Sequence, residues 1–422
     1  MGSFYDEASV SRAAYPETFN PQVIRKDFPI LHQKVNGKPL VWFDNAATTQ
    51  KPQSVIDEIS RFYAHDNSNI HRAAHELARR STDAYENARE KVKHFIHASS
   101  TDEIIFVRGA TEGINLITGT YGKKYIGEGD EIIISTLDHH ANIVPWQQLA
   151  KGKKAKLLVI PINDNGDILL EEYGRLLSPR TKIVAFTHVN NTFGTISPVK
   201  TMVEMAKRYN ARVLIDGAQS IAHTPVDVQN LDCDFFVFSG HKIYAPNGIG
   251  VVYGKKELLE ILPPWQGGGN MILDVTFEET RFHAPPARFE AGTPNVADAV
   301  GLGAALDYVR RTGIHRIEKY EHELTEYARE QLSKIKGLRL IGNPKERVSV
   351  VSFVLDSIPT PEVGQLLNLE GIAVRAGHHC AQPALRRMGL ETTVRPSFSF
   401  YNTHDEIDRL TAVLRKMLNA PK

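Results

Sequence analysis

Residues 212–242 read RVLIDGAQSIAHTPVDVQNLDCDFFVFSGHK. Two apolar runs stand out, Arg212–Asp216 and Asp234–Phe238, and each ends in polar residues. Short apolar runs bounded by turn residues read as strands buried on both faces. Working outward, the same kind of run recurs at Glu103–Val107, Glu131–Ser135, Lys156–Pro161, Lys182–Thr187 and Ile249–Tyr253, with helical segments between them. That alternation predicts an α/β fold built on a mainly parallel, seven-stranded sheet. In open α/β sheets ligands bind outside the carboxyl ends of the strands. The residues just after each run are therefore where chemistry is sought.

The flanks complete the organisation. A helix is expected from Lys51, with Pro52 in its first turn and Val55, Ile56, Ile59, Phe62 and Tyr63 on one face. A second is expected from Glu76 to His97. Past Gly292 the pattern changes to a helix over Ile314–Ile335, strands at Leu338–Ile341 and Val348–Leu355, and a last helix opened by Thr403 and Glu406 in capping-box spacing. The expected division is a flexible tail over 1–20, a large domain over 21–295 and a smaller α+β domain over 296–422.

Composition narrows the function. The chain has 422 residues, with Lys plus Arg 50 against Asp plus Glu 49, a formal charge of +1. This balance carries no electrostatic signature for nucleic acid or an anionic membrane. No apolar run approaches the roughly 18 residues of a spanning helix. The first 20 residues hold Asp6, Glu7 and Glu17 and no apolar stretch, so they do not read as a signal peptide. The two cysteines, Cys233 and Cys380, make no disulfide framework and no CxxC metal site. A reducing, cytoplasmic setting is expected.

Lys242 sits in a polar turn after a buried run, where a lysine can lose its charge and form a Schiff base. Most strand-end lysines simply meet solvent. Asp216, ending the neighbouring run, changes the balance. A buried carboxylate needs a cationic partner, and a protonated pyridine nitrogen is the partner that pyridoxal phosphate (PLP) sites provide. Thr111, in Gly109-Ala-Thr-Glu-Gly, opens a helix whose amides suit a phosphate. His139 and Asn191 follow two further runs.

In the smaller domain, Cys380 lies in Arg375-Ala-Gly-His378-His379-Cys380-Ala-Gln-Pro. Cationic neighbours favour the reactive thiolate, whereas Cys233, entering an apolar run, reads as an inert buried thiol. Arg395, opening Val-Arg-Pro-Ser-Phe, suits a bidentate grip on a carboxylate. His71 and His75 stand four apart, but no third ligand completes a metal set, so no metal is expected.

At this point the chain resembles a cysteine desulfurase of the Suf type (group II), a fold-type I PLP enzyme. The resemblance runs from about Pro21 to the C-terminal helix. It is carried by FDNAATTQKP, NIHRAAHELA, RGATEGIN, LDHHANIVPWQ, THVNNTFGT, LIDGAQS, FFVFSGHK, PPWQGGGNMI, RFEAGTPN, RAGHHCAQP and SFYNTHDEIDRL. It implies that Lys242 forms the Schiff base, Asp216 pairs with the ring nitrogen, Gln219 meets the ring hydroxyl and His139 stacks on the ring and manages protons. It implies a phosphate held by Thr111, Ser239 and His241, with Thr293 donated by the second subunit of a homodimer. Asn191 and Arg395 would orient the substrate carboxylate, and His71, Arg72, Arg375 and His378 would line the same pocket. Cys380 would take sulfur from L-cysteine as a persulfide and pass it to an acceptor protein of iron–sulfur assembly. Where many relatives carry Ala after the arginine, this chain has Pro396. Selenocysteine lyase, another PLP-dependent lyase or an aminotransferase are the competing enzyme readings. A PLP-free assembly scaffold is the non-enzyme one.

Overall fold

The computed structural model describes residues 19–71 and 74–419. The tail expected over 1–20 thus lies almost wholly outside the described residues, as does Arg72. The seven apolar runs become seven strands of one sheet: β1 (Ile104–Val107), β2 (Glu131–Ser135), β3 (Lys156–Ile160), β4 (Thr181–Thr187), β5 (Arg212–Asp216), β6 (Phe235–Ser239) and β7 (Gly250–Gly254). Their order across the sheet is β1-β7-β6-β5-β4-β2-β3. Neighbours from β6 through β3 pair in parallel, and β7 runs antiparallel to both β6 and β1. The short link from Ser239 to Gly250 leaves no room for a crossover helix, so β7 returns beside β6 in the opposite sense. Gly250 is required there. A Cβ on it would lie 2.5 Å from Gly109 Cα and 2.6 Å from the Phe238 carbonyl.

Among the helices are α1 (Gln53–His65), α2 (Glu76–Phe95), α3 (Ala110–Ile117), α4 (Val296–Thr312), α5 (Ile314–Ser333) and α6 (His404–Asn419). Periodicity alone does not reveal α4. It packs against α1 and α2 and is buried around its circumference, so it lacks the one-sided stripe of a surface helix. Gly301 and Gly303 allow that approach. A Cβ on Gly301 would meet Pro246 at 2.7 Å and Ile59 at 2.9 Å. The expected boundary at 295/296 falls at the first turn of this helix.

A second, antiparallel sheet is formed by β8 (Leu338–Ile341), β9 (Ser352–Leu355), β10 (Arg375–Gly377) and β11 (Thr393–Arg395), in the order β8-β9-β11-β10. Leu324, Ala328 and Leu332 of α5 share a core with Ile407, Leu410 and Leu414 of α6 and with Phe353 and Val394 of the sheet. The capping box of α6 forms as spaced: Thr403 N–H donates to Glu406 Oε2 at 3.1 Å, and Glu406 N–H to Thr403 Oγ1 at 3.3 Å. Val41–Trp42, far earlier in the chain, pairs in parallel with Ile372–Ala373. Residues 44–51 therefore leave this region and run toward the end of the large sheet. Among the described residues no helix is long and apolar enough to cross a membrane.

Candidate active site

The carboxyl ends of β4, β5 and β6 open onto a cavity of about 310 Å³. Thr111, His139, Asn191, Asp216, Gln219, Ser239, His241, Lys242, Arg375, Cys380 and Arg395 all line it. Residues from both sheets thus meet in one space. Gly217 makes the tight exit from β5 possible, since a Cβ there would stand 1.9 Å from the Phe236 ring.

Lys242 is half-buried, and its Nζ donates to the Ala46 carbonyl. Burial, then the Arg395 charge, pull its amine down to about 7. Asp216 is 4% exposed and accepts the Ala218 N–H at 2.9 Å. Burial raises its carboxyl to about 6. Gln219 donates to the same Ala46 carbonyl at 2.8 Å. His139 Nδ1 accepts the Ala141 N–H at 3.1 Å, so in the neutral ring the proton sits on Nε2. Burial and the Lys242 charge lower this imidazole to about 4. Ser239 Oγ accepts the Ala110 N–H at 2.8 Å, tying the end of β6 to the first turn of α3 beside Thr111. His241 is held near 4 by burial and by Lys242.

On the opposite wall, Arg395 is 2% exposed. Its Nη1 donates to the Asn191 carbonyl at 2.9 Å, and its Nε has no partner. Burial brings the guanidinium down to about 10. Asn191 in turn donates from Nδ2 to the His379 carbonyl at 2.7 Å. His379 and Cys380 both have φ +54°. Left-handed backbone at non-glycine residues costs about 1–3 kcal/mol each. The loop is held in it by the Asn191 bond, by the His140 N–H on the Cys380 carbonyl at 2.8 Å, and by His379 Nε2 against Thr393 Oγ1 at 2.8 Å. Cys233 lies elsewhere, fully buried before β6, and burial pushes its thiol up.

Three of the expected pocket residues sit elsewhere within the chain. His71 Nε2 meets Glu86 Oε1 at 3.1 Å and its ring lies against Tyr85, so it packs from the preceding loop onto α2 rather than lining the cavity. Its neighbours there are anchored by the buried pair Arg89–Glu290 at 2.7 Å. His378 is exposed, accepts the Cys380 N–H on Nδ1 at 3.0 Å and stacks on His140 with ring centroids 5.8 Å apart. The second histidine of the loop, His379, is the one that turns into the cavity. Thr293 lines a separate cavity of about 580 Å³ with Arg108, Trp265, Gln266 and Asn295. Sequence reasoning gave no role to Asp44, Ala46 or His379. The FDNAATTQKP stretch contained the signal for the first two, a carboxylate and small residues in a polar break.

The donor set fits PLP. A buried carboxylate with a single amide donor, an amine lining the cavity, and hydroxyls beside a helix start answer in turn to a ring nitrogen, an aldehyde and a phosphate. Comparison with known proteins agrees. Residues 41–410 match the family model described as Aminotransferase class-V. A cysteine desulfurase of Synechococcus elongatus is 62% identical over 94% of this chain, which spans 64% of that longer relative. A cysteine desulfurase of Salmonella agona is 48% identical, over 95% of this chain and 98% of its own length. The crystal structure of the cysteine desulfurase CsdA from Escherichia coli superposes with a TM-score of 0.89 at 38% identity, covering 95% of this chain and 99% of that one. With its family match nearly end to end and a relative matched along almost its whole length, the chain belongs to the class-V aminotransferase family, in the cysteine desulfurase branch.

Proposed function

We propose that the protein is a PLP-dependent cysteine desulfurase that converts L-cysteine to L-alanine and leaves a persulfide on Cys380. The observation that carries this reading is the convergence of Cys380 with Lys242, Asp216 and Arg395 on one cavity. A transaminase has no use for a thiol at that place. Lys242, Asp216, Gln219, His139, Thr111, Ser239 and His241 would hold the cofactor, with Thr293 supplied by a second copy. When bound, the cofactor acts as an electron sink for the substrate's α-carbon.

Each side chain then has a defined task. Arg395 and Asn191 orient the substrate carboxylate, with Arg375 beside them. Lys242, its amine lowered to about 7, is partly neutral near pH 7 and both accepts and returns a proton at Nζ. His139 presents its Nε2–H to the substrate sulfur and manages the proton there as a donor. Cys380 Sγ attacks that sulfur. The bond from Cβ to sulfur breaks and the sulfur–sulfur bond forms. The substrate β-carbon is reduced to a methyl group and the Cys380 sulfur is oxidised, so no outside oxidant or reductant enters.

The RAGHHCA loop supports the group II form and with it an acceptor of iron–sulfur assembly, and the two free cysteines support a reducing, cytoplasmic setting. The test is incubation with L-cysteine, followed by alanine assay and mass analysis of the protein. Lys242→Ala is expected to lose turnover and keep its fold. Cys380→Ser is expected to bind cofactor and release no sulfur. Normal alanine yield from either variant, or a persulfide mapped to Cys233, refutes the reading.

A further inference from the structure

Between the two arginines of the cavity lies a carboxylate with no assigned role. Asp44 is 9% exposed. Its Oδ2 accepts Arg375 Nη2 at 2.8 Å, and its Oδ1 accepts Arg375 Nε at 3.3 Å and Arg395 Nη2 at 3.4 Å. Two guanidiniums therefore share one carboxylate. Arg395 is fully enclosed, with one backbone acceptor, one long contact to Asp44 and an Nε that nothing satisfies. Arg375 is half exposed and spends its paired edge on Asp44.

The charge count of this cluster is +2 from the arginines and −1 from Asp44, a net +1. One monoanionic carboxylate brings it to zero beside the enclosed Arg395. A dianion overshoots, and Asp44 repels the excess at short range, where low dielectric makes charge count heavily. Asp44 is also followed immediately by Asn45 and Ala46. Asn45 donates to the Ser397 carbonyl at 2.7 Å and accepts from Tyr401, while the Ala46 carbonyl receives Lys242 and Gln219. The backbone that carries the carboxylate is thus fixed just past Asp44, and the two guanidiniums hold the carboxylate itself.

We infer that Asp44 sets the specificity of the carboxylate site: it fixes the charge so that the cavity takes one monocarboxylate and rejects dianions. It touches no substrate and works through Arg375 and Arg395, so it is a positioning residue. The inference rests on the reading that this cavity binds an amino acid by its carboxylate.

The test uses the cofactor-loaded enzyme and two probes, L-alanine and sulfate, at constant ionic strength. L-alanine binding is followed by the visible band of the cofactor, and sulfate by its competition with L-alanine. In Asp44→Asn the inhibition constant for sulfate is expected to fall by about tenfold or more, because the net charge rises to +2. Asp44→Glu keeps the charge and is expected to restore exclusion. Arg375→Gln takes the count to zero and is expected to weaken L-alanine binding by about tenfold. It keeps the inference testable should Asp44→Asn not fold. Sulfate inhibition in Asp44→Asn within about twofold of the parent, or L-alanine affinity in Arg375→Gln within about twofold, overturns it. Neither probe needs sulfur transfer. Absence of a Cys380 persulfide in the unaltered enzyme would refute the desulfurase reading and leave this result standing.

Discussion

Replacing Arg395 by lysine tests the carboxylate site with a change that keeps the charge and removes the fork. The guanidinium is 2% exposed, uses one edge on the Asn191 carbonyl and Asp44, and leaves Nε unpartnered. A lysine at this place delivers a point charge and cannot serve the Asn191 carbonyl and a carboxylate in one plane. The variant is expected to lose one charge-assisted hydrogen bond to substrate, about 1.5–3 kcal/mol. At about 1.4 kcal/mol per tenfold, KM for L-cysteine should rise about 10- to 150-fold. The carboxylate takes no part in bond breaking and is held alike before and during reaction, so kcat should fall much less than KM rises. Initial rates of alanine formation across a cysteine series separate the two constants. An unchanged KM, or a loss confined to kcat, would show that Arg395 does not hold the carboxylate.

Two further outcomes follow from the same geometry. His139, His188 and His241 are each lowered to about 4 by burial, against an ordinary value near 6.5, so the unfolded chain binds protons first as pH falls. Native stability should drop between about pH 6.5 and 4, opposed in part by buried carboxyls that take their protons in the folded state: Asp216, raised to about 6, and Asp138, Asp234, Glu321 and Glu406, each raised by burial. The urea midpoint of the cofactor-free protein is expected to be lower at pH 5 than at pH 7.5, and an equal or higher midpoint contradicts this. Thr293 lies outside the Lys242 cavity of its own chain, and its expected role is in a second copy. Mixing Thr293→Ala with Lys242→Ala subunits should then rebuild one complete site per hybrid dimer and recover activity that neither variant has alone. A mixture no more active than its parts would rule out the shared site.

The legible part of the site was local. Apolar runs of strand length each predict themselves, and Asp216 and Lys242 read as a pair because adjacent runs end in them. Cys380 separated itself from Cys233 by its neighbours, polar on one side and apolar on the other. The helix α4 was not legible, because burial on every side erases the periodicity that marks a helix at a surface. Nor did the loop RAGHHCA say which histidine turns inward. His378 and His379 are adjacent, and only the left-handed backbone at His379 and Cys380 sends the second ring to Thr393 and the first to His140.

The sequence by itself determined the α/β class, the seven strands, the lysine and carboxylate at their ends and the polar loop around Cys380. These follow from side-chain polarity over a few consecutive residues, which the order of the chain preserves. The tertiary structure decided which of these groups share one cavity, that His71 packs against α2 instead, and that Asp44 is the counter-ion of two arginines. Arg375 and Asp44 are 331 positions apart, and Arg395 and Asp44 are 351 apart. No local spacing encodes such a contact. It arises only when the pairing of Val41–Trp42 with Ile372–Ala373 carries the early chain across to the second sheet and sets its carboxylate between the two guanidiniums.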